Sequence, residues 1–284
     1  MPVAKTILMV GDDPVIRQLL EKVPSPAPFE IENARDSSDC LLRVEAKPFD
    51  LIVTDPQTTG AEDLQLLRQI REIRPSAKVV VMSSESAPHQ VIEAIRQHAF
   101  SHFTRPFDYD ALTSLVADAL GLSAWSDGIE VLSARPEWVA LRLQCQKLTA
   151  DRVLQFMREM KMDLSVDERE SIGSAFREML MNAIEHGAGF DSDQKIDICY
   201  VRTSRMIVYQ IRDPGEGFRF DCLPHAALSN PPDSPIKHLA YREDHGIRPG
   251  GFGIFIAQKF VDELFYNEKG NEVLLIKYLD GQPT

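Results

Sequence analysis

Between residues 5 and 121, short strand-like runs alternate with amphipathic segments five times, and few chain arrangements satisfy that pattern. The runs Thr6–Val10, Glu30–Ala34, Leu51–Thr54, Val79–Met82 and His102–Phe103 are too short for helices and read as strands. Val15–Val23, Ser37–Ala46, Asp63–Ile73, Gln90–His98 and Tyr109–Leu120 carry apolar residues at helical spacing. Strands each followed by a helix predict a parallel sheet covered on both faces. In such a sheet, ligand chemistry collects at the carboxyl ends of the strands.

Those ends carry chemically matched residues. Asp12 and Asp13 follow the first strand, Asp55 the third, Ser83 and Ser84 the fourth, and Arg105-Pro106 the fifth. Carboxylates from different strands on one edge can hold Mg²⁺. A hydroxyl and a cation beside them can stabilise a phosphoryl group on Asp55.

The stretches Ile7-Leu8-Met9-Val10-Gly11-Asp12-Asp13-Pro14, Asp50-Leu51-Ile52-Val53-Thr54-Asp55 and Thr104-Arg105-Pro106-Phe107 resemble the receiver domain of bacterial response regulators over residues 4–121. The resemblance implies a doubly wound five-stranded parallel sheet of flavodoxin-like type. It places Asp55 as phosphoacceptor, Asp12 and Asp55 on Mg²⁺, and Ser83, His102 and Arg105 at the switch positions. Departures from the family pattern are Gly11 for an acid, Arg105 for a lysine, Thr59 for a proline and Asp63 for a glycine. Arginine is not a neutral exchange where a lysine acts as a point charge.

Composition narrows the class. The 284 residues are 44% hydrophobic and 26% charged, as in ordinary globular domains, and suffice for two of them. No apolar run approaches the roughly 20 residues that span a bilayer, and the first residues read as a buried strand instead of a secretory signal. Cys40, Cys145, Cys199 and Cys222 form no C-x-x-C pair and read as reduced thiols of a cytoplasmic protein. A formal charge of −12 argues against a nucleic-acid partner, since phosphate binding needs a basic face. ATP is compatible with it, because its charge is met locally by Mg²⁺ and amides.

The expected domains are 1–121 and 129–284, joined by a linker at 122–128 anchored by Trp125. Ile129–Leu132 reads as a strand, Ser133–Glu137 as the start of a helix with Pro136 in its first turn, and Trp138–Met160 as a long amphipathic helical segment. No histidine lies between His102 and His186. Ordinary histidine kinases place a phosphoacceptor histidine ahead of their ATP domain, so transfer to histidine is not expected.

Three clusters mark the second half. Glu178-x-x-x-Asn182-x-x-x-His186 puts polar groups in line on a helix whose other face carries Ile172, Phe176, Leu180 and Ile184. Asn182 offers Mg²⁺ a neutral oxygen, and Glu178 can orient or deprotonate an attacking hydroxyl. His186 reads more simply as a helix-terminal residue closed by Gly187. Strands Lys195–Arg202 and Met206–Arg212 lead to Asp213-Pro-Gly215-Glu-Gly217, a turn that lets backbone approach a flat ligand. A stretch of 32 residues, Phe218 to Pro249, contains five prolines and has the length of a lid. It leads to Gly250-Gly251-Phe252-Gly253 before a helical run Ile254–Glu263, a place to present amides to phosphate.

Residues 129–280 resemble the GHKL ATPase superfamily and, within it, the anti-sigma-factor serine kinases. The resemblance implies an α/β sandwich of GHKL/Bergerat type, with ATP and Mg²⁺ as cofactors. It assigns Mg²⁺ to Asn182, adenine to Asp213, pocket and lid turns to Gly215, Gly217, Gly251 and Gly253, and the catalytic base to Glu178. It implies an ATP-dependent serine/threonine kinase acting on an anti-sigma-factor antagonist, under receiver control. A nucleotide-gated module that sequesters a sigma factor or antagonist, with little turnover, is the alternative. An upstream histidine kinase and a second copy of the chain are further candidate partners, while no membrane or nucleic-acid partner is expected.

Overall fold

The computed structural model describes residues 4–25, 28–54, 57–58, 60–85, 87–122, 125–161, 164–218 and 252–279. These divide into two compact units: Met1–Gly128 with Asp151–Met162, and Ile129–Ala150 with Asp163–Thr284.

In the first unit, strands β1 (Lys5–Val10), β2 (Phe29–Ala34), β3 (Leu51–Val53), β4 (Val79–Ser83) and β5 (Ser101–Thr104) form one sheet in the order β2-β1-β3-β4-β5. Every described pairing in it is parallel. Helices α1 (Pro14–Glu21), α2 (Ser37–Ala46), α3 (Gly60–Ile73), α4 (Pro88–Arg96) and α5 (Tyr109–Gly121) alternate with the strands. β3, β4 and β5 are buried along their whole length, as a sheet with two covered faces requires. Aspartates start several helices: Asp36 accepts the Asp39 amide at 2.9 Å and Asp108 that of Ala111 at 3.0 Å. The strand order reverses between β1 and β3, which opens a crevice at their carboxyl ends.

The second unit is built on β6 (Ile129–Arg135), β7 (Trp138–Gln144), β8 (Lys195–Arg202), β9 (Met206–Arg212), β10 (Glu263–Tyr266) and β11 (Glu272–Tyr278). Their order is β10-β11-β9-β8-β7-β6, with every described pairing antiparallel. Helix α6 (Lys147–Glu159) begins in this unit, and α7 (Val166–Asn182) and α8 (Gly253–Phe260) follow. Burial alternates along the strands: Val139, Leu141 and Leu143, then Ile196, Ile198 and Tyr200, then Ile207, Tyr209 and Ile211 face the core. α7 supplies Ile172, Phe176 and Leu180 as buried partners, and the Phe176 ring stacks on Tyr209 at 4.2 Å. Ser165 and Glu168 close a reciprocal capping box that fixes where α7 starts.

Three expectations are corrected. Trp138–Met160 is not one helix: residues 138–144 form β7, and α6 begins only at Lys147. The period-two burial of Val139, Leu141 and Leu143 decides it, with Arg142 bridging to Asp197 on β8 at 2.7 Å. Pro136 and Glu137 therefore form the β6–β7 turn instead of a first helical turn, a place proline suits equally well. Helix α8 stops at Phe260, and Glu263, expected in it, starts β10. Among the described residues no helix is long and apolar enough to cross a membrane, and Cys40, Cys145 and Cys199 are free thiols.

Candidate nucleotide site and receiver crevice

Glu178 and Asn182 stand one turn apart on α7, half-buried and on a face beside its core stripe. The first residue of α8 comes down on both. A Cβ built on Gly253 would lie 2.8 Å from Glu178 Oε2, closer than real Cβ atoms come, and 3.2 Å from Asn182 Nδ2, a tight contact. Glycine at this position is what lets the N-terminal turn of α8 meet the two polar side chains. His186 does not extend their line. α7 ends at Asn182 and passes into a single π-helical turn, Ala183–Gly187, which leaves His186 exposed. The left-handed residues beyond this segment are Gly189 (φ 62°) and Phe190 (φ 58°), not Gly187.

Gly187 has another use. Asp213 follows β9, and its Oδ1 accepts the Gly215 amide at 2.9 Å. A Cβ on Gly187 would run into the Asp213 carboxylate, and one on Gly215 would lie 2.8 Å from the Gly187 carbonyl oxygen. The two glycines thus close on the carboxylate from two sides. Burial raises the Asp213 pKa, an effect that the Gly215 amide and the Lys269 ammonium partly offset. A hairpin turn braces the backbone here: the Asp213 amide donates to the Asn271 carbonyl, and Asn271 Nδ2 donates to the Asp213 carbonyl, both at 3.0 Å. Lys269 Nζ donates to the Gly215 carbonyl at 2.9 Å, and Gly217 turns through φ 76° beside it. Gly250 and Gly251, and all of the expected lid after Phe218, lie outside the described residues.

The donor set fits MgATP. Asn182 offers an amide oxygen for Mg²⁺, the start of α8 presents amides toward phosphate, and Asp213 is a desolvated acceptor for a planar donor. From sequence Gly187 reads only as a helix end, and Lys269 and Asn271 carry no site role. The run Asn267-Glu268-Lys269-Gly270-Asn271 carried a turn signal, and Asn267 Oδ1 accepts the amides of Gly270 and Asn271 at 2.7 and 3.1 Å.

In the first unit the crevice gathers residues from β1, β4 and β5. Gly11, where the family pattern has an acid, adopts φ 77°. Asp12 is exposed, and its Oδ1 accepts Asn33 Nδ2 at 3.2 Å. Asp13 is buried and doubly engaged: Oδ1 caps α1 through the amides of Val15 and Ile16, and Oδ2 holds Arg105 at 2.8 Å. Burial pushes its pKa up, but those amides and the guanidinium outweigh it and hold the carboxyl below its usual range. The buried Ser83 hydroxyl donates to the Glu85 carbonyl at 2.8 Å. Asp63 is buried in the first turn of α3 and accepts the Thr58 hydroxyl at 2.7 Å. His102 is fully buried, which lowers its pKa to about 4 and keeps it neutral. Asp55 and Thr59 lie outside the described residues, and no cluster of three or more His, Cys, Asp or Glu poised for a metal occurs among the described ones.

Residues 7–117 match the family model of the response regulator receiver domain, and residues 144–277 that of the histidine kinase-like ATPase domain. The chain joins a receiver domain to a histidine kinase-like ATPase domain. The receiver is similar to the response regulator protein PilR of Pseudomonas aeruginosa, at 31% identity over 50% of this chain and 33% of that protein. It is similar also to the DNA-binding transcriptional regulator NtrC of Azospirillum brasilense, at 32% identity over 41% of this chain and 24% of that protein. The chain thus covers a third or less of the length of these curated relatives. The signal receiver domain of an HD domain-containing protein from Pseudomonas fluorescens Pf-5 is similar at 23% identity, with a TM-score of 0.37 over 42% of this chain and 89% of that one.

Proposed function

We propose that the chain is a receiver-controlled protein kinase that transfers the γ-phosphoryl group of ATP to a serine or threonine of an anti-sigma-factor antagonist. The observation that carries this reading is the contact of Gly253 with Glu178 and Asn182. A carboxylate beside a metal-binding amide, at the start of a helix, is the arrangement direct phosphoryl transfer needs. Bound MgATP supplies the phosphoryl group and the charge-neutralising ion. Glu178 takes the proton of the acceptor hydroxyl as that oxygen forms its bond to phosphorus and the bond to the ADP oxygen breaks. Asn182 orients the metal without adding charge, and Asp213 accepts a hydrogen bond from the adenine amino group.

On this reading Asp55 is the phosphoacceptor of the receiver, with Asp12 and Asp55 on Mg²⁺ and Ser83 and Arg105 reaching the phosphoryl group. Arg105 would then leave Asp13. The protein acts in the cytoplasm, downstream of a histidine kinase. The test is transfer of radiolabel from γ-labelled ATP to a purified antagonist by the full chain and by Glu178→Gln. Transfer by the wild type alone, with nucleotide binding kept in both, supports the kinase. Nucleotide-dependent co-elution without transfer overturns it in favour of a nucleotide-gated binding module.

A further inference from the structure

Among the described residues, the hydrogen bonds that reach Asp213 from outside its own turn all involve Asn271, through its carbonyl and its side chain. Asn271 is buried and stands just before β11, at the end of the β10–β11 turn. A carboxamide has a donor end and an acceptor end of the same shape, so its neighbours decide which way it points. Here they decide it in sequence. Asn267 Oδ1 accepts the amides of Gly270 and Asn271, which leaves Asn267 Nδ2 to donate to Asn271 Oδ1 at 3.0 Å. With its oxygen taken, Asn271 turns Nδ2 to the Asp213 carbonyl. The relay runs in one direction, from the backbone of a turn to Asp213.

The hairpin grips the Asp213 turn at further points. Lys269 Nζ donates to the Gly215 carbonyl at 2.9 Å. A Cβ on Gly217 would strike the Lys269 carbonyl, and one on Gly270 the Phe218 carbonyl, so the two backbones pack directly together. Asp213 Oδ1 is committed to the Gly215 amide, and no described residue donates to Oδ2. Where Oδ2 points is therefore set by the backbone of residue 213, whose N–H and C=O are both held by Asn271. A buried polar relay with every member satisfied fixes one geometry more sharply than apolar packing does.

We propose that Asn271, oriented by Asn267, is a positioning residue for purine selection: it fixes Asp213 so that Oδ2 accepts the 6-amino group of adenine and disfavours purines without that donor. This rests on the reading of Asp213 as the adenine acceptor, and asks nothing of Glu178 or of phosphoryl transfer. A hydrogen bond weakens steeply with misalignment, so a small drift of the Asp213 backbone erases selection before it erases binding.

Calorimetric titration of the full chain with ATP and with purine riboside triphosphate, each with Mg²⁺, tests this. The second nucleotide differs only in lacking the 6-amino group. The wild type should bind ATP about tenfold or more tightly, the worth of one hydrogen bond to a charged acceptor. Asn271→Leu should bring ATP down to the level of purine riboside triphosphate, and leave the latter within about twofold of its wild-type affinity. Asn267→Asp keeps an oxygen for the Gly270 and Asn271 amides but removes the donor to Asn271 Oδ1. It should lower the ATP preference severalfold, and add nothing in the Asn271→Leu background. Equal loss for both nucleotides would make the hairpin plain structure, and an undiminished ATP preference in the variants overturns the role of Asn271. If Asn271→Leu does not fold, Asn267→Asp decides alone by the same outcomes. A wild type that binds the two nucleotides alike overturns the reading of Asp213 itself, and the selection role with it.

Discussion

Gly253 sits against Glu178 so closely that an added Cβ would lie 2.8 Å from the carboxylate oxygen, although 75 residues (253 − 178) separate them in the chain. This contact joins a motif on one helix to a motif at the start of another, and it makes the smallest side-chain change a direct probe of the site.

Gly253→Ala should keep the fold and weaken nucleotide binding. Alanine is the better helix residue by about 1 kcal/mol, which offsets part of the strain at the start of α8. The clash with Glu178 and Asn182 should cost about tenfold or more in affinity. Calorimetric titration with MgATP, alongside a urea melt, separates the two effects.

Glu178→Gln should bind MgATP with near wild-type affinity and transfer phosphate about 10²–10⁴-fold more slowly. Single-turnover transfer to the antagonist measures it. Equal rates would remove Glu178 as the base.

Glu159 provides a pH test. Burial raises its pKa from 4.5 to about 7, against the hydrogen bonds of Thr104 and Gln155 and the charge of Arg158. A raised carboxyl pKa means stability is lost as pH climbs from 4.5 toward 7, where the buried group must ionise. Glu159→Gln removes that penalty and should stabilise the chain by about 2–3 kcal/mol at pH 8 but by almost nothing at pH 4.5. His102 titrates in both proteins, so it cancels in the difference. Urea unfolding of the two proteins at both pH values reads it.

Asp13→Ala should cost more stability than Arg105→Ala. The aspartate caps α1 through two amides, worth about 1–2 kcal/mol, and its removal also takes the carboxylate from Arg105. Arg105 is 43% exposed, and a partly exposed ion pair contributes about 1 kcal/mol or less. Reversal of that order in denaturant melts would mean that the ion pair, not the cap, secures this edge.

Much of the architecture was legible in short windows. The alternation of runs predicted the parallel sheet and its helices, because period and length are local properties of a strand or helix. The bounds read for β8 and β9 match the strands to the residue. The four-residue spacing of Glu178 and Asn182 put them on one face before any tertiary contact was known. β7 was lost because Val139, Leu141 and Leu143 run straight into the helical spacing of α6, and two periods merged into one apparent helix.

What only tertiary structure decided are pairings between distant residues. Asp13 and Arg105 meet because sheet order brings the ends of β1 and β5 to one crevice. Gly187 shapes the setting of Asp213 because a π-helical turn carries it past the end of β9. Arg152 and Glu159 look in sequence like an ordinary solvated helix face; they are buried because β5 has an open backbone edge that their side chains satisfy. Local sequence sets which face of an element is polar, whereas the free edge of a neighbouring strand determines what that polar face is for.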